Sequence, residues 1–404
     1  MRVRCDWAGA FALVAMVLSA GAASGAGSAT SCPSFRDASE GLPVVGEWRT
    51  HPAVGDVNGD GRVDIAGQPR KGASPKVWLR NGRGWKEAST GLRTPGMTCG
   101  VGVDLADFNA DGHLDLGVAD HCQGIFLYLG DGGKTWRLAQ SVMRGSKNGF
   151  DDLQFADLDG DGHLDLAAIG SFRGGIATFR GDGKGRFKAW KVVEQGLPDA
   201  GYGSDIELVE LNGDGVLDVL VAYAGGALRP PPMELRRNFV WLSEGPLRWR
   251  PATAGLLEDG RTWGVTAGDV NGDGRPDVAL GRSLGHPLMV FLQDEQGGFE
   301  PALEGLPEPN TSRFYGVALG DLDADGDLDL IATDHFTSAF RVWLGDGKGA
   351  WSECEEDMGL PGERAEGRGW GLRLADLDAD GRLDVVAGFG RQGNGALEAW
   401  LQKP

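Results

Sequence analysis

The 404-residue sequence predicts an all-β fold, a seven-bladed β-propeller of four-stranded antiparallel blades. Three observations predict it. An acidic nine-residue segment recurs seven times, beginning at Asp56, Asp107, Asp157, Glu210, Asp269, Asp321 and Asp376, with starts 50 to 59 residues apart. A period of that size marks a repeat architecture. Each interval holds four short apolar runs punctuated by Gly, Pro and Asp, as in Gly264–Val270, Asp277–Gly281, Leu288–Leu292 and Phe299–Leu303. Four strands per unit of about 50 residues make a propeller blade, and no window keeps a helical period. The last unit also lacks a strand. After Asp384–Gly388 and Leu397–Leu401 the sequence ends, whereas Phe35–Pro43 resembles the fourth-strand segments Phe299–Pro307 and Trp351–Pro361. The N-terminal strand is therefore expected to complete the seventh blade, which removes an open edge.

The acidic segment has the chemistry of a cation loop. Position 1 holds the seven starting residues. Position 3 holds Asn58, Asn109, Asp159, Asn212, Asn271, Asp323 and Asp378. Position 5 holds Asp60, Asp111, Asp161, Asp214, Asp273, Asp325 and Asp380, and position 9 holds Asp64, Asp115, Asp165, Asp218, Asp277, Asp329 and Asp384. Position 6 is always Gly, which allows a sharp turn, and position 7 varies, as a backbone-carbonyl ligand would permit. Oxygen donors at alternate positions suit Ca²⁺, so up to seven Ca²⁺ ions are expected. The formal charge of −19 includes 24 carboxylates at ligand positions, and seven Ca²⁺ would reduce it to −5. An acidic balance with a local cause excludes nucleic acid as a partner. The fourth loop departs most, with Glu210 at position 1.

The chain opens with Arg2 and Arg4, an apolar run from Ala8 to Ala20 and small residues thereafter, which reads as a signal peptide over residues 1–26. Residues 33–404 then form one propeller domain, secreted to the extracellular space or periplasm. No later segment is apolar for long enough to span a membrane. Cleavage removes Cys5 and leaves an even set. Cys99 and Cys122 flank the second loop symmetrically and are expected to pair, leaving Cys32 for Cys354. An insertion, Ala224–Arg237, explains the longest interval.

The pattern (Trp/Tyr)-Gly-Val-x-x-Gly-Asp, leading into the acidic loop at Trp263–Asp277 and Tyr315–Asp329, resembles the FG-GAP/VCBS repeat. The resemblance implies a propeller similar to the N-terminal head of integrin α subunits, with Ca²⁺ in the turns between first and second strands and ligand sites on the opposite face. It also brings in lectins and polysaccharide lyases. The expected function is a binding, adhesion or protein-interaction module, acting as a monomer or within a surface assembly. The alternative is a carbohydrate-binding lectin or a polysaccharide-processing lyase or hydrolase. No catalytic set converges in the sequence. The protein or carbohydrate ligand is expected at loops carrying Arg173, Arg236, Arg237, Arg282 and Arg391. Trp48, Tyr202, Trp263, Tyr315 and Trp370, where blades begin, are expected as packing wedges. The paired Asp120-His121 and Asp334-His335 are expected as a loop motif without chemistry.

Overall fold

The computed structural model describes residues 31–49, 51–94, 99–142, 149–170, 175–190, 195–198, 202–223, 240–252, 261–337, 339–361, 368–390 and 395–404. Among them there is no α-helix. Their 28 strands form seven antiparallel four-stranded sheets. Blades are numbered here in the order of their acidic turns. The leader, the insertion, and Arg173, Arg236, Arg237 and Arg391 lie outside the described residues.

Six blades run in sequence order. In the seventh, Phe35–Asp37 pairs with the last strand, Leu397–Gln402, placing Phe35 opposite Gln402 and Asp37 opposite Trp400. A second feature confirms that this strand occupies a blade's outer position. Outer strands of the other blades begin with a buried aromatic such as Trp85, Trp136 or Trp351, whose carbonyl abuts a positive-φ glycine of the preceding blade. A Cβ on Gly41 would lie 2.1 Å from Trp85 O, and one on Gly359 would lie 2.3 Å from Phe35 O. Phe35 therefore stands where blades one, two, four and six have Trp and blades three and five have Phe187 and Phe299. The Cys32–Cys354 disulfide fastens the same segment to blade six, with Cα atoms 5.7 Å apart, and Cys99–Cys122 closes blade two at 5.5 Å.

The second strands are buried along their whole length, as in Asp277–Arg282. Their near-continuous apolar runs follow from being covered on both faces. The hydrophobic core is divided into seven clusters, one at each blade interface; Ile331 and Phe340 of blade six, for example, meet Leu372 and Val385 of blade seven. Inner strands surround a central axis. Acidic turns leave one end of each inner strand, and the strand entrances collect at the other end, about 20 Å away for seven residues.

Candidate functional site

The acidic turns come first, since every blade carries one. Position 9 is fully buried in all seven, at 0% exposure. In six turns its Oδ2 accepts the backbone N–H of position 2 at 2.7–3.0 Å. In all seven its Oδ1 accepts an N–H of the third strand at 2.6–3.0 Å. This aspartate thus ties the turn to the sheet. Burial pushes Asp64, Asp165, Asp218, Asp277 and Asp384 up to about 6, and Asp329 to about 7. Asp115, whose Oδ2 lacks a hydrogen-bond partner, goes to about 8. Position 1 accepts the N–H of the position 6 glycine at 2.8–3.1 Å in six turns, and that glycine has positive φ in all seven.

The turns differ in how their charge is balanced. Arg180 reaches Asp159 (3.0 Å) and Asp161 (2.7 Å), Arg275 reaches Asp273 (2.5 Å), and Arg382 pairs with Asp380. In the fourth turn, Ser243 Oγ donates to Asp214 Oδ2 at 2.6 Å. The sixth turn has no ion pair to Lys or Arg among the described residues. Carboxylate oxygens of Asp321, Asp323 and Asp325 lie within 4.8 Å of one another, and Asp321 Oδ1 and Asp323 Oδ2 are buried without a hydrogen-bond partner. Burial and then their neighbours raise both pKa values. Two similar sets gather at Asp157, Asp159 and Asp165 and at Asp376, Asp378 and Asp384. Donors that are all oxygen, crowded and partly orphaned fit a hard divalent cation.

A second site lies at the opposite end of the axis. Six inner strands carry a β-bulge at their entrance, for example between Phe150 and Asp152, Gly203 and Asp205, and Thr262 and Gly264. A bulge leaves one residue unpaired and re-aims its side chain. The residues skipped by the ladders include Val101, Asp151, Ser204, Trp263, Tyr315 and Trp370, and all of them line one axial cavity together with Arg49, His51, Arg70, His121 and Tyr202. The cavity holds about 540 Å³, including its open mouth. The glycine after the bulge makes this arrangement possible, since a Cβ on Gly264 or Gly316 would stand 2.3 Å from the carbonyl of Tyr315 or Trp370 in the next blade.

Four of the five blade-start aromatics are therefore not wedges. Trp263 stacks on Tyr315 at 4.2 Å, Tyr315 stacks on His335 at 3.6 Å, and Trp370 meets both edge-on. Trp48 alone is a wedge, buried between blades seven and one. Arg49 lies 4.6 Å over the Trp370 ring and is held by Glu47 at 2.5 Å. Arg70 donates to Cys99 O at 3.1 Å. The two Asp-His pairs also turn inward. Their aspartates cap tight turns, Asp120 at Cys122 N (2.8 Å) and Asp334 at Phe336 N (2.7 Å). His121 Nδ1 hydrogen-bonds Asp151, and His335 Nε2 accepts from Arg368 at 2.8 Å; burial and then Arg368 push His335 down to about 3. Arg282 is a correction to the expected ligand face. It ends a fully buried strand, with Nη1 against Met289 Sδ (3.2 Å) and His286 O (3.4 Å).

With this geometry in place, sequence comparison decides the family. The model of the FG-GAP-like repeat matches residues 56–118, 107–168, 157–221 and 321–387, and that of the FG-GAP repeat matches 262–294. The chain is an FG-GAP repeat protein. All seven acidic turns fall within the matched segments. No curated protein matches the chain. Among solved structures, this FG-GAP protein is similar to an Agrocybe aegerita lectin that recognises non-reducing terminal N-acetylglucosamine, at 19% identity over 78% of this chain and 80% of that one, with a TM-score of 0.50. It is also similar to BBS1N, solved in complex with ARL6DN and soaked with lead, at 12% identity over 92% and 96% of the chains, TM-score 0.53. These likenesses concern the fold. No described helix of the FG-GAP protein is long and apolar enough to cross a membrane.

Proposed function

We propose that this FG-GAP propeller is an exported interaction module, pinned by Ca²⁺ in its acidic turns, that docks an acidic segment of a partner protein at the axial cavity. The observation that carries the reading is the cavity itself, where six bulges aim side chains at one axis and Arg49 and Arg70 stand among aromatic rings. Arg with aromatic residues is the composition of interaction hot spots, and carboxylates are the natural partner of fixed guanidinium groups. A protein partner accords with the complexed state of BBS1N. Two disulfides favour an oxidising compartment. The hydroxyls do not favour catalysis: Ser204 Oγ donates to Trp263 O at 2.8 Å, and burial raises the Tyr202 phenol. A peptide array tests the reading, with acidic peptides expected to bind wild type at least tenfold more tightly than Arg70→Ala. Equal binding to both proteins would overturn it. The second reading, a lectin, is favoured by the aromatic rings of Trp263, Tyr315 and Trp370 in the cavity lining and by the lectin neighbour. A glycan array that gives hits abolished in Trp263→Ala, with no peptide hits, would select it.

A further inference from the structure

Below the cavity the axis is acidic. Asp104, Asp152, Asp205 and Glu207, from blades two, three and four, face the central channel. Three of them use one oxygen to tie neighbouring inner strands together: Asp104 Oδ2 accepts from Phe155 N (3.0 Å), Asp152 Oδ2 from Ile206 N (3.4 Å) and Asp205 Oδ2 from Val265 N (3.0 Å). Arg373 of blade seven is the cation of this group, but it ion-pairs with none of these carboxylates, and its Nη1 bonds to Leu372 O at 3.4 Å. Across the axis stands His51 of blade one, its Nδ1 3.6 Å from Asp205 Oδ1. One ligand atom from each of His51, Asp152 and Asp205 lies within 4.8 Å of the others, and all three residues are buried.

Three features give this cluster the character of a site. Its members come from blades one, three and four, so they converge across the ring and are not neighbours on one strand. The oxygens left over from the blade-to-blade bonds, Asp152 Oδ1 and Asp205 Oδ1, are carboxylate acceptors beside a second carboxylate, an arrangement that needs a proton or a cation between them. The site is also fixed in place and reachable: Asp152 packs closely on Gly102, where a Cβ would come within 2.0 Å of Asp152 Oδ1, and His51 is part of the lining of the axial cavity.

We propose that the channel floor is a transition-metal site, in which a divalent ion of the zinc class is bound by His51, Asp152 and Asp205 and keeps a coordination position open to the cavity. The imidazole nitrogen sets the class. Ca²⁺ takes oxygen ligands, as the turns provide, whereas one imidazole with two carboxylates suits zinc and its neighbours. Three protein ligands with an open position describe a site that can receive a further donor, and a carboxylate entering between Arg49 and Arg70 would supply one.

The test uses the whole protein in millimolar Ca²⁺, so that the turns are supplied, and titrates Co²⁺ as a spectroscopic probe. The expected result is one Co²⁺ per chain with the visible absorption of a low-symmetry, nitrogen-containing site. His51→Gln should bind at least tenfold more weakly, while Asp323→Asn, in the sixth turn, should leave the absorption unchanged. No absorption in wild type, or the same titration in His51→Gln, would overturn the proposal. If His51→Gln fails to fold by its circular dichroism, a wild-type crystal soaked with Zn²⁺ decides: an anomalous peak between His51 and Asp205 supports the site, and peaks confined to the turns overturn it.

Discussion

The fourth position of every acidic turn has a left-handed backbone. It is Gly in turns one, three, four and five, and Ala in the others, with φ of 60° at Ala110, 63° at Ala324 and 61° at Ala379. The left-handed region costs an L-residue about 1–2 kcal/mol, and glycine gives back about 0.5–1 kcal/mol as unfolded-state entropy. Ala324→Gly should therefore stabilise the protein by about 0.5–1 kcal/mol, as measured by denaturant unfolding with and without Ca²⁺. A destabilised variant would contradict the strain. Asp323 gives a prediction that changes sign. Asn occupies the same position in four other turns, so Asp323→Asn keeps the geometry while removing one of the crowded charges. In EDTA the variant should melt higher than wild type, because like-charge repulsion is relieved. In Ca²⁺ it should gain less from the ion, because a charged ligand is lost. A variant that melts in parallel with wild type under both conditions would mean that the sixth turn holds no cation.

The N-terminal strand closes the ring through three paired residues, as many as the outer strands of blades three to six have. Its disulfide spans 322 residues, against 23 for Cys99–Cys122. In the chain-entropy account the longer loop contributes about 2 kcal/mol more. Cys354→Ser should accordingly lower the melting temperature more than Cys122→Ser, and a reductant should bring wild type to the level of the double variant. Calorimetry in both redox states checks this; the reverse order would show that the latch is held by strand pairing. This closure was legible in advance because Phe35–Pro43 repeats the pattern of other outer strands, and so were the turns, each of which repeats four donors and a glycine. The axial cavity was not legible. A bulge is one extra residue counted against a partner strand, and nothing in the composition of Asp151, Ser204 or Trp263 marks it. Arg49 and His51 precede the first repeat, where the Trp-Gly-Val pattern is absent. Arg282 was misplaced because the second strand runs one residue further than its apolar pattern, carrying the guanidinium inside.

The charge of the ring is segregated along its axis. Acidic turns crowd one face, arginines and aromatics surround the cavity at the other, and buried carboxylates line the channel between. This distribution gives stability a pH dependence whose sign can be worked out. The position 9 aspartates are raised by burial from about 3.8 to about 6–8. A carboxylate raised in the folded state favours folding while protonated, so its contribution is full below about pH 4 and is lost as pH rises through the folded value. Asp104 and Glu207 in the channel, pushed up by burial to about 6 and about 8, act in the same direction; Asp205 adds to the rise at Glu207, and Arg373 opposes it at both. In EDTA the melting temperature should therefore fall between about pH 4.5 and about pH 8. Ca²⁺ in the turns would supply the counter-charge that ionised aspartates need, so the gain on adding Ca²⁺ should be small at the acid end and grow steadily toward pH 8. With protein freed of transition metal in both series, the channel carboxylates contribute equally to both curves, and the difference between them isolates the turns. Thermal melts at matched ionic strength measure that difference directly, and two parallel curves would remove Ca²⁺ from the turns while leaving the propeller and its axial cavity in place.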